Sequence, residues 1–121
     1  AKAAGAVLLG GSDAPVDTRD PRPFVNMALA VTRRVAGQPA LNPAEAVSIR
    51  EVIDAYTING AKYLNLDNET GSIEPGKSAD LVVVTQDILA LADDGRADDI
   101  VNTKVLSTYF MGKEVYHRTT P

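Results

Sequence analysis

Ala6-Val7-Leu8-Leu9-Gly10-Gly11-Ser12-Asp13-Ala14-Pro15-Val16 is the stretch around which the rest of the chain is read. Residues 6–9 form a short apolar run with the length of a fully buried strand. Gly10 and Gly11 let the backbone turn sharply without a Cβ penalty. Ser12 and Asp13 follow at the tip, and Pro15 keeps a helix from starting at once. A buried strand that delivers one carboxylate to its carboxyl end is how parallel α/β barrels place a catalytic group. The other reading makes Asp13 an Asx-turn or cap residue after a strand. From these residues alone the cap reading is the favoured one, because a lone aspartate in a glycine-rich turn is a weak signal.

Downstream, Asp20-Pro21 reads as an N-cap followed by proline at the first helical position. Phe24, Met27, Ala28, Val31 and Val35 recur at helical spacing, which predicts an amphipathic helix over residues 23–35, closed by Gly37. Arg33 and Arg34 fall in its last turn, where cations suit the helix dipole; anion binding is the alternative for the pair. Asn42-Pro43-Ala44-Glu45 carries a cap, a proline and an acid three residues after the cap, so a second helix is expected to start there. Its apolar face is Val47, Ile49, Val52, Ile53 and Tyr56. Thr57 and Asn59 interrupt it, and Asn59 caps a shorter helix through Ala61, Tyr63 and Leu64. Tyr56 and Tyr63 are read as packing residues, with aromatic ligand binding as the alternative.

From Thr70 the period changes. A Pro-Gly turn sits at residues 75–76. Leu81-Val82-Val83-Val84-Thr85 is a β-branched strand expected to be buried on both faces. Residues 86–102 read as a loop with at most one helical turn, and the acidic Asp93-Asp94 and Asp98-Asp99 pairs as its solvated surface. Residues 105–110 form another strand, residues 111–114 turn, and Val115-Tyr116 returns as the second arm of a hairpin.

The whole chain, at 121 residues, has the size of one ordinary domain. Its 45% hydrophobic and 23% charged content supports a core and argues against disorder. With a net charge of -4 and no Lys/Arg cluster, nucleic acid and anionic membranes are not expected partners. The absence of cysteine removes disulfides and thiolate metal sites. Neither a transmembrane-length segment nor a signal-peptide pattern is present, and a cytoplasmic location is favoured. The chain opens on Ala1 and reaches an apolar run within a few residues, which reads as a truncation or processing point. The predicted strand at residues 6–9 has no evident partner downstream, a second sign of missing sequence.

Three stretches agree in order and spacing with one family: Gly11-Ser12-Asp13-Ala14-Pro15-Val16, Ala55-Tyr56-Thr57-Ile58-Asn59-Gly60-Ala61, and Gly71-Ser72-Ile73-Glu74-Pro75-Gly76-Lys77-Ser78-Ala79-Asp80-Leu81-Val82-Val83. They resemble the carboxyl-terminal part of the metal-dependent amidohydrolase superfamily, in the branch that holds the N-substituted formamide deformylases. The resemblance implies an α/β fold. Residues 1–70 would be the end of a (β/α)8 TIM barrel, its last strand and following helices. Residues 71–121 would be the carboxyl-terminal share of a small β-sandwich. Asp13 matches the family's aspartate at the end of the eighth strand, which binds a divalent metal or takes a proton from metal-activated water. The family's other ligands lie on earlier strands. The one histidine here, His117, is read as a surface residue in the tail beyond the last strand.

A catalytic zinc site uses about three protein ligands and an open position, which Asp13 and His117 cannot supply. The expectation is therefore a divalent metal, zinc foremost, in the full-length protein and none on this chain alone. The full-length protein would hydrolyse a small-molecule, amide-like carbon–nitrogen bond, with Asp13 as base and as metal ligand only beside ligands absent from this chain. Its partner would be the missing amino-terminal part of the barrel. The alternative is a non-catalytic structural or interaction module that self-associates through exposed strand edges. An unrelated small α/β binding domain is the third possibility, and it would be revived if residues 6–9 were not a strand ending at Asp13.

Overall fold

The computed structural model describes residues 4–16, 19, 21–35 and 37–119. Helix α1 spans Pro23–Thr32, α2 Ile49–Tyr56, α3 Ile58–Tyr63 and α4 Ile88–Asp93, with 3-10 turns at Pro43–Glu45 and Ala97–Asn102. Strands β1 (Leu81–Val84), β2 (Val105–Phe110) and β3 (Lys113–His117) form one antiparallel sheet in the order β1-β2-β3. None of the described helices is long and apolar enough to cross a membrane.

The core follows the helical periods. Phe24, Met27 and Ala28 of α1 pack with Ile49 and Val52 of α2, Leu91 of α4, and Ala97 and Ile100 of the second 3-10 turn. These are i, i+3, i+4 positions, so each helix turns one apolar stripe inward. Ile100 lies at the centre with 0% exposure. Val84 and Val105 pack against the same cluster and tie the sheet to the helices. Gln86 stitches the connection: its side-chain amide donates to the Asp99 carbonyl at 3.0 Å and to the buried Thr103 hydroxyl at 2.8 Å.

Several boundaries differ from expectation. Pro23 opens α1 as predicted, but Arg22 is the N-cap, and Asp20 lies outside the described residues. The helix stops at Thr32 because Arg33 takes a left-handed conformation with φ 57° and donates its N–H to the Leu29 carbonyl. Gly37 therefore does not end it, and Arg33 and Arg34 lie past its last turn. Arg34 instead makes a two-pronged ion pair with Asp98, which holds that carboxyl below its usual range. Arg33 donates to the Leu41 carbonyl at 3.3 Å. Anion binding is thus not what engages this pair.

Asn42-Pro43 starts only a single 3-10 turn. The helix proper begins after Ser48, whose hydroxyl accepts from the Glu51 N–H while the Glu51 carboxylate accepts from the Ser48 N–H. This reciprocal capping box is the stronger start signal. The predicted interruption falls at Thr57, whose hydroxyl bonds back to the Ile53 carbonyl at 2.8 Å. Thr57 caps α3, and Asn59 lies inside it.

Residues 86–102 are not a loop. Asp87 accepts from the Leu89 and Ala90 N–H groups and caps α4, and the second 3-10 turn follows. The acidic residues there are partly engaged: Asp98 with Arg34, and Asp99 with Arg96 at 2.7 Å. Strand β1 is not buried on both faces either, since Val82 and Val83 are 60% and 47% exposed. It is one edge of the sheet and carries only aliphatic side chains. The opposite edge, β3, is exposed throughout and carries Lys113, Glu114 and His117. His117 closes that strand rather than lying beyond it. Its Nδ1 stands 3.1 Å from the Ser107 hydroxyl and 3.2 Å from Glu114. Hydrogen bonds to the Glu114 carboxylate, from Ser107 first and then from His117, hold it below its usual range.

Candidate functional site

Residues 6–13 carry no strand ladder. A strand needs a partner, and what lies beside this segment is the α2–α3 pair. Its backbone groups are met there instead. The Gly10 N–H donates to the Ala55 carbonyl at 2.9 Å, filling one of the acceptors that the end of α2 leaves open. The Asn59 side-chain amide donates to the Leu8 carbonyl at 3.1 Å. Tyr56 lies so close over the backbone that a Cβ on Gly10 would stand 2.4 Å from its ring. Only glycine fits at that position. The Tyr56 hydroxyl and the Asn26 amide both reach the Gly11 carbonyl at 3.5 Å.

Beyond this grip the chain turns. Asp13 has φ 52°, the left-handed region that aspartate tolerates. The Val16 N–H donates to the Asp13 carbonyl at 2.9 Å, around a cis Ala14–Pro15 bond. The turn is supported by the Ser12 hydroxyl, which accepts from the Ala14 N–H at 3.3 Å. Asp13 itself is exposed, and its carboxylate has no hydrogen bond or ion pair among the described residues. The turn bond is therefore made by Ser12, and the Asp13 carboxylate is left without a partner among the described residues.

The site that residues 6–13 build is thus a held backbone with one open carboxylate at its end. Among the described residues no three His, Cys, Asp or Glu side chains come together in a group that could hold a metal. Asp13 and His117 are not joined into one. The shallow cleft of about 220 Å³ between residues 6–8 and Glu51, Asp54 and Asn59 does not include Asp13. Sequence reading singled out Asp13 but missed its supports. Asn26 gave no signal, Asn59 read as a helix cap, and the need for glycine at position 10 depends on a ring 46 residues away, as the numbering of Gly10 and Tyr56 gives.

The third motif plays a different part. Asp80 accepts from the Met111 N–H and the Thr70 hydroxyl, both at 2.9 Å, and these bonds, Met111 first, hold its carboxyl below the usual range. The Gly112 N–H donates to the Ala79 carbonyl at 3.1 Å. Residues 70–80 are in this way fastened to the β2–β3 turn. Lys77 bonds Ser72 at 2.5 Å and Glu74 at 3.1 Å within the Pro-Gly turn.

Comparison with known proteins agrees over nearly the whole chain. The amidohydrolase family model matches residues 1–116, which removes the unrelated binding domain even though residues 6–9 form no strand. The N-substituted formamide deformylase of Arthrobacter pascens is 37% identical over 116 residues, covering 96% of this chain and 20% of that protein. An imidazolonepropionase of Bdellovibrio bacteriovorus is 35% identical over 96 residues, covering 67% of this chain and 23% of that protein. The solved structure of an amidohydrolase from Thermotoga maritima MSB8 superposes with a TM-score of 0.64 at 28% identity, covering 94% of this chain and 24% of that one. The chain therefore spans about a fifth to a quarter of the length of these proteins.

Proposed function

The chain belongs to the amidohydrolase family, and from that membership we propose that the full-length protein carrying it hydrolyses a small-molecule, amide-like carbon–nitrogen bond. The observation that supports this most is the open Asp13 carboxylate at the end of a segment held by its own backbone, inside a family match that runs from residue 1 to residue 116. In such a hydrolysis water attacks the carbonyl carbon, the C–N bond breaks, and the proton lost by the water must reach the leaving nitrogen. Asp13 is assigned that proton: a carboxylate oxygen accepts it and returns it to nitrogen. General base groups of this kind contribute about 10²–10⁴ in rate.

Residues 1–70 are assigned to the end of the barrel and residues 71–121 to the carboxyl-terminal share of the β-sandwich. The family is in general metal-dependent. The described residues do not by themselves fit such an ion. Its ligands, and with them the choice of zinc, are assigned to positions outside them, with Asp13 as at most one contributor. On this reading the 121 residues alone are inactive.

The test is hydrolysis of a panel of N-substituted formamides and cyclic amides by the full-length protein and its Asp13→Asn variant, read as amine release. Turnover that falls at least 10²-fold in the variant supports the reading. Turnover that survives the substitution removes Asp13 from the chemistry. A second reading, self-association through the sheet, is favoured by one observation: both outer strands have a free edge, and Val82, Phe110 and Val115 stand more than half exposed. Dimers of the 121-residue chain in light scattering would support it, and a monomer at high concentration would end it.

A further inference from the structure

We propose that Asn59 is a positioning residue for Asp13: its side-chain amide, by holding the Leu8 carbonyl, sets where the Asp13 carboxylate stands. The inference rests on the reading of Asp13 given above and assigns a task to the Ala55–Ala61 motif, which that reading leaves without one.

Residues 6–13 have no ladder to fix them, so their position is set by whatever meets their backbone groups. Leu8 O and Gly10 N–H turn toward the helices, and both are met within 3.1 Å, by Asn59 and by the Ala55 carbonyl. The Tyr56 and Asn26 contacts to Gly11 are longer, at 3.5 Å. Asn59 thus supplies the shortest side-chain bond on the segment, from a half-buried place in α3. The break at Thr57 is what makes this possible. It ends α2 with the Ala55 carbonyl open to Gly10, and α3 restarts so that Asn59 reaches the same segment two residues earlier. Gly10 is the near end of a lever. Asp13 follows it by three residues, a span of at most about 10 Å. Loss of the grip at Leu8 lets that lever swing, and a displacement of about 1 Å at a reacting group costs about 10²-fold in rate.

The experiment is steady-state kinetics on the full-length protein with Asn59→Asp, alone and combined with Asp13→Asn. Aspartate keeps the size of asparagine but replaces the amide donor with an acceptor that faces the Leu8 carbonyl. The expected result is a kcat lowered about 10- to 100-fold with KM unchanged, and no further loss when the substitution is placed on Asp13→Asn. Asn59→Ala serves as the second variant if the first does not fold. Unchanged kcat, or an equal loss in both backgrounds, overturns the proposal, because a merely structural role would act whether or not Asp13 is present. If Asp13→Asn alone keeps full turnover, it is the underlying reading of Asp13 that fails, and the positioning role falls with it.

Discussion

Asp13 and Asp80 sit in similar surroundings and have opposite lives. Each lies in an exposed, glycine-containing segment without regular structure, and each is part of a motif shared with the amidohydrolase family. Around Asp80 the side chain does the fastening: its carboxylate takes the Met111 N–H and the Thr70 hydroxyl. Around Asp13 the backbone is fastened and the carboxylate is not. A carboxylate whose lone pairs are filled is a joint; the open one is, on the proposed reading, the reagent. Within one chain, the distribution of hydrogen bonds separates the two carboxylates where residue type and exposure do not.

That contrast can be broken most directly at its reactive end. Asp13→Asn is expected to remove at least 10²-fold of the full-length protein's turnover. The same substitution should move the stability of the 121-residue chain by no more than about 0.5 kcal/mol in urea unfolding, because it breaks no bond among the described residues. A second substitution strikes the fastening and spares both carboxylates. Gly10→Ala drives a methyl into the Tyr56 ring and should cost about 1–3 kcal/mol by the same measurement.

Ser48→Ala removes one half of the capping box that starts α2, the helix whose far end holds Gly10. It should cost about 1 kcal/mol in thermal unfolding. The smallest effect belongs to Asp80, where water competes for an exposed group. Its folded pKa lies below its unfolded one. The stabilisation is therefore fully present above the unfolded value, about 3.9, and is lost as pH falls through the lower folded value. The Met111 amide resonance should shift over that acid range, and Asp80→Asn should abolish the shift. A Met111 amide that titrates equally in both proteins would deny Asp80 its role as the joint.

How much of this was legible depends on the range of the interaction. Strands β1 and β2 were visible because Leu81–Val84 and Val105–Phe110 declare themselves in their own β-branched and aromatic residues. The opening of α1 at Pro23 and the break at Thr57 are likewise local. Helix α4 had a local signal, Asp87 before Ile88-Leu89, that the acidic residues after it obscured. Ile100 had none. It stands beside Val101 between Asp98-Asp99 and Asn102, and only the docking of its 3-10 turn onto α1 makes it the most buried described side chain while Val101 stays 40% exposed. In the site, Asp13 was legible from its glycine turn, whereas its supports come from 45 to 51 residues away for Tyr56 and Asn59. The expected strand at residues 6–9 fails for the same reason, since pairing belongs to a neighbour and not to the segment that seeks one.

The unequal borders of the sheet bear on how copies of this chain could assemble. Lys113 and Glu114 line one border with charge, and Leu81–Val84 leaves the other uncharged. A ribbon that paired only through its uncharged border could not propagate. Two copies joined border to border through β1 would be related by a twofold axis and would close on themselves. On the self-association reading such a pair would stop at two, unlike the open-ended growth of a fibre.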